Sequence, residues 1–316
     1  MTAGEVVVVG GVNSDYLVRG ARLPAPGETV QGDAFREGPG GKGANQAVGV
    51  ARLGVRVALL ARVGADARGE GVCAALRGEG LDLSLVSRDR EHPTGVALIV
   101  VDRTGEKQIM TAPGANQNLS ESDVEAARAR IALCEVVLAG LEVPLEAVSA
   151  ALRLGKAAGV KTLLDPAPAL PLSEELLRLV DVISPNDSEA EVLTNVKVSD
   201  ARSAAQCARI LLARGASAAI VRGGVDGTLV ATSTEQHVIP RHSVNSVDAT
   251  GAGDAFMAAL AVALAEGRSL VDAAVFANAA GAFSTTRVGA QAGLPRRHEL
   301  APLLAEHRVL VSRGNP

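Results

Sequence analysis

Short apolar runs alternate with amphipathic stretches along most of the chain. Runs at 5–11, 55–62, 135–140, 160–164, 181–184 and 218–221 read as strands. Apolar positions recur at helical spacing over 42–53, 69–77, 145–158 and 201–213. Apolar strands separated by amphipathic helices imply an α/β architecture: a mainly parallel sheet with helices on both faces. The last third is mostly helical, with Ala-rich helices at 253–265 and 269–285. Two stretches break the rhythm. Residues 15–36 hold strand-like pieces around Leu23-Pro24-Ala25-Pro26-Gly27-Glu28, and 94–110 read as two strands around a turn. They look like β insertions, and a small β-sheet over the carboxyl ends of the main strands would be a lid. The expected division is a body of 1–14, 37–93 and 111–316 and a lid of 15–36 and 94–110. Residues 312–316 read as a fraying tail.

Composition narrows the function classes. The 316 residues are 47% hydrophobic and 21% charged with net charge −4, which is globular chemistry rather than disorder. A mildly acidic chain has no global electrostatic footprint for nucleic acid. With no tryptophan, one tyrosine and four phenylalanines, it lacks the rings of a single-strand stacking platform. Cys73, Cys134 and Cys207 form no CxxC pair and read as buried, reduced thiols. The N-terminus has no basic region before its short apolar run, and no run reaches a membrane span. A cytoplasmic location is therefore expected.

Two glycine-rich stretches carry candidate chemistry. In Gly38-Pro39-Gly40-Gly41-Lys42-Gly43-Ala44-Asn45-Gln46 the lysine is followed by glycine, so the magnesium-binding hydroxyl of a Walker A loop is missing. Gly10-Gly11-Val12-Asn13 after the first strand is not a dinucleotide fingerprint either. Paired glycines let backbone approach a ligand, and Lys42 and Asn45 offer a charge and an amide suited to a polyhydroxyl compound. A plain strand-to-helix turn accounts for the same glycines, and both readings stay open here.

In Asp248-Ala249-Thr250-Gly251-Ala252-Gly253-Asp254, small residues open an apolar helix. Their N–H groups, with the helix dipole behind them, form an anion hole. Asp254 in the first turn could merely favour the dipole. Beside an anion hole it has a second use. The hole would stabilise a migrating phosphoryl group while the carboxylate accepts the proton of an attacking hydroxyl.

With both stretches in view, the chain resembles the ribokinase-type (PfkB) carbohydrate kinases from Val7 to about Pro295. Gly40–Ala47 is similar to the family's N-terminal signature, and Asp248–Asp254 to its C-terminal one, about 200 residues later. The form with Lys42 and Asn45 is closer to the ribokinases of that family than to its fructokinases. The resemblance implies a three-layer, doubly wound body with a β-sheet lid. It also implies ATP-dependent phosphorylation of the O5 hydroxyl of D-ribose. Asn13, Asp15, Gly41, Lys42, Asn45 and Glu142 match sugar-holding positions. Asp254 matches the catalytic base, with Gly251, Ala252 and Gly253 as the hole.

Asn186 and Glu189 match an NxxE motif that orders water around magnesium and the triphosphate. The same pair reads as a helix cap, and both roles are compatible. Arg222, Gly224 and Gly227 match the loop beside the nucleotide, where the family often has Thr or Lys in place of Arg222. Asn278 falls near the expected adenine, or is simply a polar residue on its helix. Asp248, Thr250, Ser284, Arg287 and Gly289 match a potassium site fed mostly by backbone carbonyls. Gly293 departs from it by removing a serine oxygen. A homodimer through the lid is implied too. The runner-up reading is a kinase for deoxyribose, another pentose or a nucleoside. A non-catalytic sugar-binding protein would be expected to lose Asp254 or the hole.

Overall fold

The structure is a computed structural model that describes residues 4–223 and 226–306. The strand β1 (Glu5–Val9) is Glu-Val-Val-Val-Val and wholly buried. It lies parallel between β4 (Arg56–Gly64) and β8 (Val136–Gly140). A strand covered on both faces is apolar through its central positions, which is why these runs do not alternate. Beyond β8 follow β9 (Lys161–Asp165), β10 (Val182–Ile183) and β11 (Ala218–Val221), all parallel. The sheet ends in an antiparallel hairpin of β12 (Thr228–Thr232) and β13 (Gln236–Ile239). On the other side β5 (Val86–Asp89) pairs with β4, giving a nine-stranded sheet.

Helices cover both faces. On one lie α1 (Lys42–Arg52), α2 (Ala67–Gly78), α9 (Ala252–Ala265) and α10 (Leu270–Ser284). On the other lie α3 (Glu121–Ala126), α4 (Arg128–Ile131), α5 (Leu145–Ala157), α6 (Glu174–Leu177), α7 (Asp187–Thr194) and α8 (Ala201–Ala213). Two short helices follow, α11 (Ala290–Gly293) and α12 (Ala301–Ala305). The two-residue period of a strand splits β1 between two cores: Val6 and Val8 join the first, Val7 and Val9 the second. Helix α9 is apolar all round and almost wholly buried, as a helix must be when the sheet, α1 and α10 all press on it. A Cβ on Gly49 of α1 would stand only 2.6 Å from the Ala258 Cβ of α9, so these helices meet backbone to backbone.

A second sheet has the order β3–β2–β6–β7. Its strands are β2 (Asn13–Gly20), β3 (Gly32–Gly40), β6 (Gly95–Val101) and β7 (Lys107–Ala112). Strand β2 begins before 15–36 and β3 ends after it, whereas β6 begins within 94–110 and β7 ends two residues beyond it. One face carries Asn13, Asp15, Ala97, Ile99 and Ile109 over the carboxyl end of the main sheet. The opposite face leaves Phe35, Leu98 and Met110 61%, 55% and 74% exposed.

The expected architecture and most strand and helix positions are observed. Strands β5, β12 and β13 went unread because they are short and only partly apolar. The three cysteines are buried and free, with burial pushing the Cys134 thiol up to about 12. No described helix is long and apolar enough to cross a membrane. The tail 312–316 and Gly224 lie outside the described residues.

Candidate active site

The carboxyl ends of the parallel strands open into a cleft of about 880 Å³, roofed by the second sheet. This is where open α/β sheets bind ligands, because loops and helix N-termini converge there. Gly41 has φ 87°, and a Cβ on it would lie 2.6 Å from the Gly11 carbonyl oxygen. A Cβ on Gly43 would meet the Gly10 carbonyl carbon at 2.5 Å. Only glycine lets α1 start this close to the end of β1, and that contact aims Lys42, Asn45 and Gln46 inward.

Asp254 lies buried in the first turn of α9. Its Oδ2 accepts from the Asn45 amide at 2.9 Å and its Oδ1 from the Gln46 amide at 3.3 Å. The Lys42 ammonium stands 3.7 Å from Asp254 and 3.8 Å from Asp165. Burial raises the Asp254 pKa above the usual carboxylate range, and Lys42 opposes it. Burial alone would lower Lys42, but Asp254 and Asp165 carry it above the ordinary lysine value. The Glu142 carboxylate accepts from the Lys42 backbone N–H at 2.7 Å, and burial pushes its pKa up to about 7.

Asp15 reaches about 6, from burial first and the Asp254 charge second. Its Oδ1 is buried and has no partner among the described residues. Gly40 lies beside it in β3, where a Cβ would overlap the carboxylate. Asn13 accepts from the Asn116 amide at 2.8 Å, which fixes its orientation. An unsatisfied acceptor among oriented amides and carboxylates suits a polyhydroxyl ligand.

At the head of α9, Gly251 takes φ 81° as the N-cap with no side-chain cap. The Ala252 N–H donates to the Ala249 carbonyl at 3.2 Å, so the expectation that it faces an anion is corrected. The Gly253 and Asp254 N–H groups are at the helix end, where no preceding turn exists to receive them. Both residues line the cleft.

On the far side, Asn186 caps α7 and Glu189 returns the bond: Glu189 N–H to Asn186 Oδ1 and Asn186 N–H to Glu189 Oε2 are both 2.8 Å. Glu189 is buried, and its carboxylate also meets Arg222 at 3.3 Å. Burial raises its pKa, and Arg222 opposes that. Gly227 has φ 119° and borders the cleft. Asn278 also lines it, but both ends of its amide are engaged, by Thr228 Oγ1 at 3.2 Å and the Pro240 carbonyl at 3.0 Å.

Asp248, Thr250 and Gly289 meet beside the head of α9. Asp248 Oδ1 accepts from Thr250 N–H at 2.9 Å and Oγ1 at 2.6 Å, and Oδ2 from Gly289 N–H at 2.8 Å. These bonds hold the Asp248 pKa low although burial works against them. The Arg287 N–H donates to the Ser284 carbonyl at 3.3 Å, while the Arg287 side chain turns away to Glu299 at 2.7 Å. A Cβ on Gly293 would lie 2.8 Å from the Ser284 carbonyl oxygen, so this backbone leaves no room for the serine of the resembling family. Lys107, at the start of β7, bonds Thr250 Oγ1 and stands 3.9 Å from Asp248.

Asp165, Gln46, Asn116 and Lys107 were not identified from sequence. Asp165 ends a buried strand in Leu163-Leu164-Asp165-Pro166, and a carboxylate at the carboxyl end of an apolar run is a usable signal. Gln46 lies one helical turn from Lys42 and shares its face. Asn116 and Lys107 carry no local signal.

The sequence matches the model of the pfkB family carbohydrate kinases over residues 3–297. A Haemophilus influenzae protein named ribokinase is 39% identical over 302 residues, covering 96% of this chain and 98% of its own. A Salmonella typhi deoxyribokinase is 34% identical over 92% of this chain and 95% of its own. The structure of Arabidopsis thaliana ribokinase complexed with ribose and ATP is 32% identical, with a TM-score of 0.86 over 96% of this chain and 99% of that one. Thermotoga maritima ribokinase gives the same identity and score, covering 96% and 100%. With the family model spanning nearly the whole sequence, this chain belongs to the pfkB family of carbohydrate kinases.

Proposed function

We propose that the chain is a ribokinase, which transfers the γ-phosphoryl group of ATP to the O5 hydroxyl of D-ribose to give D-ribose 5-phosphate and ADP. The observation that carries this reading is the Asp254 carboxylate, buried in the cleft between the Asn45 amide and the Lys42 ammonium at the start of α9. The relatives named ribokinase, one of them complexed with ribose and ATP, support the substrate pair.

Asn13, Asp15, Gly41, Lys42, Asn45 and Glu142 hold the sugar hydroxyls. Asp254 removes the O5 proton as that oxygen attacks the γ-phosphorus. The new O–P bond forms, the bond to the β–γ bridging oxygen breaks, and its electron pair leaves with ADP. A raised pKa makes Asp254 a stronger base, while Lys42 keeps it ionised. The N–H groups of Gly251, Gly253 and Asp254 receive the charge of the phosphoryl oxygens. Asn186, Glu189, Arg222, Gly227 and Asn278 border the nucleotide.

Magnesium, when bound, neutralises charge on the β- and γ-phosphates. The Asp165 and Glu189 carboxylates facing Arg222 are hard oxygen donors that suit a hydrated ion, and Asn186 with Glu189 would hold its waters. Potassium would be held by Asp248 and the carbonyls of Thr250, Ser284, Arg287 and Gly289. The fit is partial, because Gly293 adds no side-chain oxygen and Lys107 already brings positive charge to Asp248.

Residues 15–36 and 94–110 act as a lid over the body of 1–14, 37–93 and 111–316, excluding the water that would hydrolyse ATP. Its outer apolar face, with Tyr16 stacked near Phe35, is the surface for a homodimer. Three buried free thiols support a reducing compartment, the cytoplasm.

A coupled ADP-release assay over pentoses, 2-deoxyribose, hexoses and nucleosides, with and without potassium, tests the reading. D-Ribose should give the highest kcat/KM. A nucleoside or deoxyribose preferred over ribose overturns the substrate assignment.

A further inference from the structure

Arg222 follows β11, and its guanidinium lies over the first turn of α9. A Cβ on Gly253 would come within 2.8 Å of its Nη1. The Nη2 group donates to the Ser184 carbonyl at 2.8 Å, Asp165 Oδ1 at 3.2 Å and Glu189 Oε2 at 3.3 Å. The Phe256 ring lies beneath, 5.5 Å from the guanidinium carbon. One edge of the fork is thus clamped by carboxylates while another faces the N-terminal end of α9. The side chain is only 11% exposed, yet its Nε is buried and has no partner among the described residues. Among the described residues, all of its side-chain hydrogen bonds run through Nη2, so the Nη1 donors beside Gly253 are open to an anion at the head of α9.

We propose that Arg222 is a catalytic residue: its free donors, with the Gly253 and Asp254 amides, hold the oxygens of the phosphoryl group in flight. This rests on the kinase reading and deepens it. Bordering the nucleotide does not by itself require a transition-state role. Position supplies that role, because the guanidinium adjoins Gly253, the residue immediately before the proposed base. That places it at the transferring phosphorus rather than along the remainder of the nucleotide. Asp165 and Glu189 hold the fork ready, so little reorganisation is needed when charge develops. A planar fork can engage two oxygens at once, which the point charge of lysine cannot.

The test compares Arg222→Lys and Arg222→Met with the unaltered enzyme. Steady-state kinetics is measured with ribose, and calorimetry follows binding of ADP alone and of ADP with aluminium fluoride and ribose, a mimic of the phosphoryl in flight. The expectation is a kcat loss of about 10²–10³-fold for Arg222→Met, the range for removing a preorganised donor. Affinity for the fluoride complex should fall by a similar factor, with a much smaller change for ADP alone and for the ribose KM. Arg222→Lys keeps a charge opposite Asp165 and Glu189, so it remains a usable variant if Arg222→Met fails to fold. It should recover only part of the loss. Variants with kcat within about threefold of the parent, or equal losses for ADP and the fluoride complex, overturn the proposal. An unaltered chain that phosphorylates no sugar overturns the kinase reading instead, so the two failures are distinct.

Discussion

Asp254 depends on its neighbours for its chemistry. Replacing it with Asn keeps the shape and one of the two amide contacts but removes the proton acceptor. Asp254→Asn should lower kcat at least about 10²-fold, the low end of a general-base contribution, as read from steady-state rates. Asp15 carries a different cost. Its folded pKa of about 6 lies above its ordinary 3.8, so the folded state binds the proton more tightly than the unfolded one. Its stabilising contribution is complete below pH 3.8 and is lost as pH rises through about 6. Asp15→Asn should therefore flatten the fall in melting temperature between pH 4 and 7 and raise the ribose KM. An unchanged melting profile or an unchanged KM would remove Asp15 from that role. Lys42, Asn45 and Asp254 were legible as chemistry because each lies in or beside a glycine-rich turn, whereas Asp15 was singled out only through the family resemblance. Asp165 was not singled out: its place at the end of an apolar run is a signal, but its role exists only once the fold sets it between Lys42 and Arg222.

At the scale of elements, the contact of α1 with α9 sets the distance from Asn45 to Asp254. Gly49→Ala places a methyl 2.6 Å from the Ala258 Cβ, which neither helix backbone can yield freely. Denaturant unfolding should show a loss of about 1–3 kcal/mol, the cost of overpacking a tight core. Strand β7 has a comparable point of attachment. Lys107 ties the edge of the second sheet to Thr250 and Asp248, beside the head of α9. Lys107→Met should raise the KM values severalfold with a smaller change in melting temperature, since an exposed pair adds little stability. The strands of this sheet were readable as a break in the α/β rhythm. Their fastening to the body through Lys107 was not, because it joins residues 143 apart.

At the scale of the molecule, the second sheet has two apolar tasks. Its inner face covers the cleft, and its outer face exposes Phe35, Leu98 and Met110. A carboxylate in the middle of that outer face could not be buried against a second copy without a large desolvation cost. If the chain dimerises through this face, as proposed, Leu98→Glu should sediment as a monomer at concentrations where the parent chain does not. A parent that sediments as a monomer would remove this face as a dimer surface.

The sequence by itself determined the layered α/β body, the two glycine-rich turns and the carboxylate at the start of α9. These are local consequences of apolar period, of backbone that only glycine can follow and of helix-end chemistry. Tertiary structure alone decided which charges face one another: Lys42 against Asp165 and Asp254, Arg222 against Glu189, and Lys107 against Asp248. It also used the Ala252 amide within its own turn and closed the space at Gly293. Such pairings join residues far apart in the chain, and their energies depend on distance and burial, which exist only once the sheet and helices have packed.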